Sequence, residues 1–353
     1  MTVIDSHLDL AWCALAWNRD LTATVEEIRR SEVGLSDLRR GHNTVSFPEL
    51  HRAEVAVCLA TVLSRCSTLD DPFLDRRTRE IAAAEGAAHV EYYRIMEAAG
   101  HLRMVRDAAS LDAHWSEWQR TGGAGTPLGF ILAMEGADPI LRPNDVARWW
   151  ERGLRVVEPV HYGISFYAHG TGAPGGLTPP GRDLLAAMES AGMILDITHM
   201  ADGSFWESLD LFHGPVMASH HNCRALVPGD RQLSDDQIRA LVARGGVIGA
   251  AFDSWMLYPG YARGETDNSL VSLERVIDHI DHVCQIAGNA RHAAIGSDLD
   301  GGFGTEQSPR ELDTIADLQQ VPDRLRRRGY GDADVEAVMH GNWLRFFREA
   351  LPR

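Results

Sequence analysis

The stretch VIDSHLDLAW, residues 3–12, combines a buried β-strand pattern with polar side chains at alternate positions. Successive side chains of a strand point to opposite faces, so Asp5, His7 and Asp9 share one face. Polar groups on a buried face need partners. A metal ion is one partner that a neutral imidazole and a carboxylate can share, which makes this stretch a candidate metal-binding strand.

Seven further β-rich apolar runs follow, and helical patterns lie between them. The eight runs are residues 2–10, 53–64, 129–138, 154–163, 192–200, 214–221, 245–255 and 292–302. The helical patterns include residues 145–152, 183–191, 234–244 and 272–287. Eight strands alternating with helices predict an α/β fold, a (β/α)₈ TIM-like barrel formed as one domain by residues 1–353. An open doubly wound sheet is the alternative, but no G-x-G-x-x-G motif opens the first βα unit.

Two stretches rich in Gly, Pro and Thr, residues 170–181 and 301–309, are predicted to be long loops after the fourth and eighth runs. Long loops in a compact domain usually carry function. In a barrel these two would border the C-terminal face, where active sites lie.

The amino-acid composition excludes several classes of function. The net charge is -16, and no cluster of basic and aromatic residues points to nucleic acid or to an anionic membrane. All 34 basic residues are arginine, which excludes lysine-based chemistry, including a carboxylated-lysine metal bridge. The five cysteines show no C-x-x-C spacing, and no secretion signal or membrane span is evident. We therefore expect a cytoplasmic protein with a small ligand, no nucleic-acid or membrane partner, and a possible homo-oligomeric state.

Several of the runs end in residues that bind metals or move protons. These strand-end residues are His7, Asp9, Glu135, His161, His199, His220 and Asp298. Because the carboxyl ends of parallel strands meet at one mouth, we expect the side chains to converge. Imidazole plus carboxylate is a zinc-type ligand set. One ion would be held by His7 and Asp9, and a second by His199 and His220. With no lysine available, Glu135 is the candidate bridge between the two ions.

Seven motifs in register resemble one family over nearly the whole chain. They are DSHLDLAW, MEGAD, GLRVVEPVH, LDITHM, ASHHNCRAL, DRQLSDDQI and GSDLDGG. On these motifs the chain resembles the membrane (renal) dipeptidases, peptidase family M19, within the amidohydrolase superfamily of binuclear metal barrels.

The resemblance implies a site at the C-terminal face of the barrel that holds two Zn²⁺ ions. The implied metal ligands are His7, Asp9 and Glu135 for one ion, and Glu135, His199 and His220 for the other. The implied catalytic residues are Asp298, Glu135 and His161, and the implied substrate-binding residues are His161 and Arg231. Asp298 would transfer protons.

Some positions keep a second interpretation. His220 and His221 are strand neighbours, so only one of them enters the mouth, and the family register favours His220. Asp298 and Asp300 share a face, and the first lies nearer the strand. Arg231 either binds a substrate carboxylate or forms a salt bridge with a neighbouring aspartate.

Asp5 either orients a ligand histidine or is simply buried and hydrogen-bonded. His169, in the loop after the fourth run, is a further candidate for substrate contact. Both positions carry less weight than the seven strand-end residues.

The expected function is hydrolysis of the peptide bond of dipeptides with a free C-terminal carboxylate, including L-Xaa-D-Xaa dipeptides. One alternative is an amidohydrolase acting on N-acyl amino acids or another small amide or lactone. A barrel that binds without catalysis would be expected to have lost a ligand or Asp298, and this chain retains them all.

Overall fold

The computed structural model describes residues 1–37, 39–69, 71 and 73–353. Each of the eight predicted runs contains a strand, and a three-residue strand that the sequence did not indicate adds a ninth. The strands are β1 (Val3–Leu8), β2 (Val55–Leu63), β3 (Leu102–Met104), β4 (Leu128–Glu135), β5 (Leu154–Glu158), β6 (Ile194–Asp196), β7 (Val216–Met217), β8 (Ile248–Ala250) and β9 (Ala293–Ile295).

The strands form a curled parallel sheet. Its order is β1-β2-β4-β5-β6-β7, and β3 pairs with the first residues of β4. Strands β8 and β9 pair with each other as a separate two-stranded sheet. All of these pairings are parallel, as expected when helices connect the strands.

The predicted closed eight-stranded barrel is only partly formed as a hydrogen-bonded ladder. Between β7 and β8 the described residues make one isolated bridge, Ala218 with Ile248. Near β9 and β1 the Ser6 hydroxyl donates to the carbonyl oxygens of Ser219 and Ile295 instead. Backbones approach very closely here, since a Cβ on Gly249 would collide with the Ser219 carbonyl oxygen. The result is a half-barrel completed by short strands and side-chain hydrogen bonds.

The α-helices surround this sheet. They are α1 (Leu10–Ala16), α2 (Val25–Ser31), α3 (Phe47–Arg52), α4 (Arg79–Ala98), α5 (Ala108–Thr121), α6 (Val146–Glu151), α7 (Pro179–Ala191), α8 (Asp202–Leu211), α9 (Asp235–Ala243), α10 (Ser254–Leu257), α11 (Glu274–Ala287), α12 (Val321–Arg328), α13 (Asp332–Glu336) and α14 (Asn342–Ala350). A π-helical segment, Ala337–Gly341, joins the last two.

The four predicted helices are present, with shifts at their ends. Helix α9 begins after the predicted capping box, in which the Ser234 hydroxyl accepts from the backbone N–H of Gln237 and the Gln237 side chain accepts from that of Ser234. Helix α7 begins at Pro179, earlier than predicted, because Thr178 caps it and proline suits the first turn. The predicted loop 170–181 therefore ends at residue 178.

Apolar side chains of the sheet and the inner faces of the helices make one hydrophobic core. Its largest fully buried members include Trp12, Trp118 and Trp343. Burial of apolar surface supplies most of the driving force for this packing. None of the described helices is long and apolar enough to cross a bilayer.

Candidate metal and substrate site

The strand-end side chains predicted from sequence meet at one place. Glu135 is the last residue of β4, and His7 lies near the end of β1. His199 and His220 each follow a strand, β6 and β7, by three residues, and Asp298 follows β9 by three. All of these side chains therefore lie at the carboxyl ends of parallel strands.

One carboxylate oxygen lies at the centre of the cluster. Glu135 Oε1 is 3.5 Å from the Nε2 atom of each of four imidazoles, those of His7, His161, His199 and His220. The Nε2 atoms of His199 and His220 are 3.2 Å apart. All of these side chains are buried or nearly so. The Glu135 carboxylate is therefore positioned to be shared by whatever binds the imidazoles.

Three groups of side chains have ligand atoms within 4.8 Å of one another. They are His7 with Asp9 and Glu135, Glu135 with His199 and His220, and His7 with His220 and Asp298. The first two groups coincide with the ligand sets implied by the family resemblance. Asp298 joins the third, with its Oδ1 3.8 Å from His7 Nε2.

Hydroxyl groups meet the opposite ring nitrogens of three of these histidines. Ser219 Oγ is 2.9 Å from His220 Nδ1 and 3.5 Å from His7 Nδ1. Thr171 Oγ1 is 3.2 Å from His199 Nδ1 and donates its own proton to the His199 carbonyl oxygen. When a hydroxyl oxygen accepts from Nδ1–H of a neutral imidazole, Nε2 of the same ring keeps its lone pair. Partners of this kind orient metal-binding histidines.

The fourth imidazole, that of His161, has a different partner. Arg65 Nη1 lies 2.8 Å from its Nδ1. The same guanidinium pairs with Asp75 through Nε at 2.9 Å and Nη2 at 3.3 Å. Neither Arg65 nor Asp75 was predicted, because they are far from His161 in the sequence and no spacing links them.

Burial sets the protonation of the cluster. It lowers the pKa of His199 and His220, and the positive charge of Arg231 adds to the effect. Burial raises the pKa of Glu135 and of Asp298, each of which also has carboxylate neighbours. Burial thus favours the uncharged imidazole at His199 and His220, whereas the pKa of His7 is raised, because the Glu135 and Asp9 carboxylates outweigh the effect of its burial. Shifted pKa values gathered in one place are typical of functional sites.

Two of the site residues adopt left-handed backbone conformations. His199 has φ of 62° and Asp298 has φ of 59°. Non-glycine residues rarely adopt such angles, which cost free energy and cluster at functional sites. The surrounding structure therefore offsets this free-energy cost at His199 and Asp298, whose side chains point into the mouth.

Arg231 is buried beside the cluster with most of its donors free. Its Nη2 donates to the His220 carbonyl oxygen at 2.9 Å, while Nε and Nη1 have no partner among the described residues. The neighbouring aspartates are engaged elsewhere. Asp230 accepts from the Gly172 N–H, Asp235 contacts the His282 imidazole, and Asp236 pairs with Arg239. The salt-bridge alternative for Arg231 is therefore not what the structure contains.

The structure also distinguishes the members of the two pairs left open by the sequence, His220 or His221 and Asp298 or Asp300. His220 rather than His221 reaches Glu135. Asp300 turns away and accepts hydrogen bonds from Thr44 N and Oγ1. Asp5 accepts from the backbone N–H of His7 and of Ser297, so it braces β1 against the end of β9.

His169 lies outside this cluster. Its Nδ1 is 3.1 Å from the carbonyl oxygen of Pro174, so the ring donates to its own loop. His169 is also absent from the residues that line the cavity above the cluster, which is described next.

A cavity of about 260 Å³ opens over the cluster. Its walls include Glu135, Arg231 and Asp298, together with Tyr162 and Asp253, which were not singled out from the sequence. Burial raises the pKa of Asp253 to about 7. A larger pocket of about 560 Å³ near Phe47 and Gly123 is lined by none of the clustered carboxylates. Convergent polar groups therefore mark the smaller cavity as the candidate site.

A curled parallel sheet whose strand ends gather imidazoles around one carboxylate has the architecture of barrel-type metal-dependent hydrolases. The sequence profile of the membrane dipeptidases, peptidase family M19, matches residues 1–351, and the chain belongs to this family.

Three individual proteins show what this chain is similar to. An uncharacterized protein in the pqqA 5′ region of Klebsiella pneumoniae is 30% identical over 263 residues, 72% of this chain and 91% of that one. Dipeptidase tcpJ of Claviceps purpurea is 29% identical over 62% of this chain, which spans 50% of that protein's length. A metallopeptidase from Rhodobacter sphaeroides, solved with a phosphinate mimic of the dipeptide L-Ala-D-Ala, shares the fold with a TM-score of 0.79 at 23% identity and 99% coverage of both chains.

Proposed function

We propose that the chain is a binuclear zinc dipeptidase that hydrolyses dipeptides with a free C-terminal carboxylate. The observation that carries the proposal is the single carboxylate oxygen, Glu135 Oε1, that faces four imidazole Nε2 atoms at 3.5 Å. Arg231 lines the same cavity, and its Nε and Nη1 are buried without a partner among the described residues. Family membership supports the same activity.

The residues present fit a pair of divalent ions. His7 Nε2 and Glu135 Oε2 are buried without a hydrogen-bond partner among the described residues, which is costly unless a ligand satisfies them. One ion would be held by His7, Asp9 and Glu135. The other would be held by Glu135, His199 and His220. When bound, zinc ions supply Lewis acidity, which polarises a carbonyl group and generates a hydroxide nucleophile near neutral pH.

Asp298 is proposed as the proton-transfer group. Its carboxyl is next to His7 and lines the cavity, and burial raises its pKa toward the range in which it both accepts and releases a proton. In hydrolysis it would accept the proton of the attacking water and give it to the leaving amine.

Arg231 is proposed to bind the substrate carboxylate. A guanidinium fork matches a planar carboxylate with two parallel hydrogen bonds, and burial strengthens them. The unpaired Nε–H and Nη1–H groups of Arg231 point to different sides of the guanidinium, so the two parallel bonds to a carboxylate would come from one of them together with the second N–H of Nη2. Its remaining bond to the His220 carbonyl oxygen would hold the fork beside the reacting bond.

His161 is proposed to stabilise the oxyanion that forms from the scissile carbonyl. Its Nε2 faces the cluster, and its ring lines the cavity. A donor aimed at developing negative charge is often the largest single contribution to catalysis.

We further propose that L-Xaa-D-Xaa dipeptides are accepted. The Rhodobacter sphaeroides metallopeptidase, solved with an L-Ala-D-Ala mimic, supports this choice of test substrate.

The test is a matrix of L-L and L-D dipeptides, each with a free and an amidated C-terminus, incubated with zinc-loaded protein. Cleavage of free dipeptides of both kinds, with little cleavage of the amidated ones, is the expected result. Equal cleavage of free and amidated substrates would contradict the carboxylate requirement. Preferential hydrolysis of N-acyl amino acids would favour the broader amidohydrolase activity, and rejection of every D-residue would remove the stereochemical part.

A further inference from the structure

The four imidazoles around Glu135 fall into two kinds according to what meets their Nδ1 atoms. His7, His199 and His220 face hydroxyl groups, which can accept a hydrogen bond from Nδ1–H. His161 faces the guanidinium of Arg65 at 2.8 Å. A guanidinium has donors and no acceptor, so the Nδ1 of His161 must accept. A neutral imidazole that accepts at Nδ1 carries its proton on Nε2.

Arg65 is held firmly in this position. It is 3% exposed, and Asp75 pairs with its Nε and Nη2, which leaves Nη1 for His161. Asp75 in turn accepts from the backbone N–H groups of Ser67 and Asp71. The loop after β2 thus holds a donor in a fixed position against the Nδ1 atom of His161.

We propose that Arg65, held by Asp75, is a positioning residue that fixes His161 as the Nε2–H tautomer, so that this imidazole donates a hydrogen bond to the substrate and does not bind metal. The kinetic part rests on the proposed function, and the tautomer itself does not. The hydroxyl partners of the three neighbouring imidazoles allow a lone pair on each Nε2, whereas the Arg65 guanidinium, which can only donate, requires a proton on the Nε2 of neutral His161. An Nε2 that carries a proton has no lone pair for a metal ion.

The direct test is ¹⁵N NMR of protein labelled at histidine ring nitrogens, before and after zinc is added. His161 signals are assigned by their loss in His161→Gln. We expect a protonated Nε2 and an unprotonated Nδ1 in both states, and this pattern should be disturbed in Arg65→Met. A wild-type signal showing Nδ1–H, or zinc bound at His161 Nε2, would overturn the proposal even if the variant failed to fold.

The kinetic test compares Arg65→Met with Arg76→Met. Arg76 lies in the same loop and forms its own ion pair with Glu85, but touches no imidazole. Since one oxyanion donor is worth about 10²–10³ in kcat, Arg65→Met should lower kcat by up to about 10²-fold with little change in KM or bound zinc. Arg76→Met should leave the kcat-to-KM balance unchanged.

The NMR test and the kinetic test can fail independently of each other. If the wild-type protein cleaves no dipeptide, the proposed function is wrong while the NMR experiment still decides the tautomer. If dipeptides are cleaved but Arg65→Met changes KM alone, or matches Arg76→Met, the positioning role is wrong and the dipeptidase proposal stands.

Discussion

Two sets of buried histidines in this chain differ in what their ring nitrogens contact. At the strand ends, four Nε2 atoms face one oxygen of Glu135. In the helices, His114 Nε2 contacts the carbonyl oxygen of Ala56, and His279 Nδ1 accepts from the Cys223 N–H. His89, in α4, is fully buried with neither ring nitrogen paired among the described residues. Burial is common to both sets, whereas convergence on a carboxylate belongs to the strand-end set alone.

This difference shows why burial alone does not identify a metal ligand. Burial lowers the pKa of His89 to about 4 and that of His279 to about 3. It lowers the pKa of His199 and His220 as well. The proposed metal ligands are therefore distinguished by a shared carboxylate and by the hydroxyl groups behind them.

The largest expected effect comes from removing the shared carboxylate. Glu135→Gln should abolish dipeptide hydrolysis and weaken both metal sites together, because it removes the anionic oxygen that the two ligand sets have in common. Bound zinc should be measured by elemental analysis. Glu158→Gln is the matched control, since Glu158 ends β5 in register with Glu135 and is equally buried. Loss of zinc from the control alone would contradict the assignment.

The second prediction concerns the two aspartates near the end of β9. Asp298→Asn should retain zinc while lowering kcat by about 10²-fold or more, the usual effect of losing a positioned acid or base. Asp300→Asn should mainly reduce thermal stability, because Asp300 accepts hydrogen bonds from Thr44 and Val45. An unchanged kcat in Asp298→Asn, with a large loss in Asp300→Asn, would reverse the roles.

The third prediction separates carboxylate binding from catalysis. Arg231→Met should lower kcat/KM for free dipeptides roughly 30- to 150-fold, the equivalent of about 2–3 kcal/mol for hydrogen bonds to a charged group. Amidated dipeptides should lose little more in this variant. Arg224→Met is the control, because Arg224 lies nearby and pairs with Asp202. If Arg231→Met affects both substrates equally, Arg231 does not bind the carboxylate.

The smallest expected effect on activity belongs to the helical set. Because His89 has a folded-state pKa of about 4, below its ordinary value of 6.5, the unfolded state binds its proton first, and stability is lost as pH falls between these values. His89→Met should reduce this acid sensitivity and leave zinc binding unchanged. Urea midpoints of metal-free protein at pH 7 and pH 4.5 measure it, with exposed His213→Met as control. Lost zinc binding in His89→Met would contradict the division into two sets.

Much of the strand order and of the site could be predicted because both follow from local patterns. All eight apolar runs contain strands, and the polar residues near the ends of six of them follow from where those runs stop. The missing ladder pairs could not be predicted, since they depend on how closely Gly249 and Ser6 let the backbones approach. Strand β3 is only three residues long and has no periodicity to detect.

The contacts behind the site also could not be predicted from the sequence. Ser219 was visible only as a neighbour of His220, and its hydroxyl serves His7 as well, more than two hundred residues away. Arg65 and His161, 96 residues apart in the sequence, are joined by a single hydrogen bond. Such pairs depend on tertiary packing, which cannot be read from the residue pattern of a single sequence.

Zinc stoichiometry against activity tests the central claim most directly. Protein stripped of metal by a chelator should be titrated with zinc while dipeptide hydrolysis and bound metal are measured on the same samples. The account predicts that activity rises with zinc and saturates at two ions per chain. Full activity with one ion, or in metal-free protein, would contradict it.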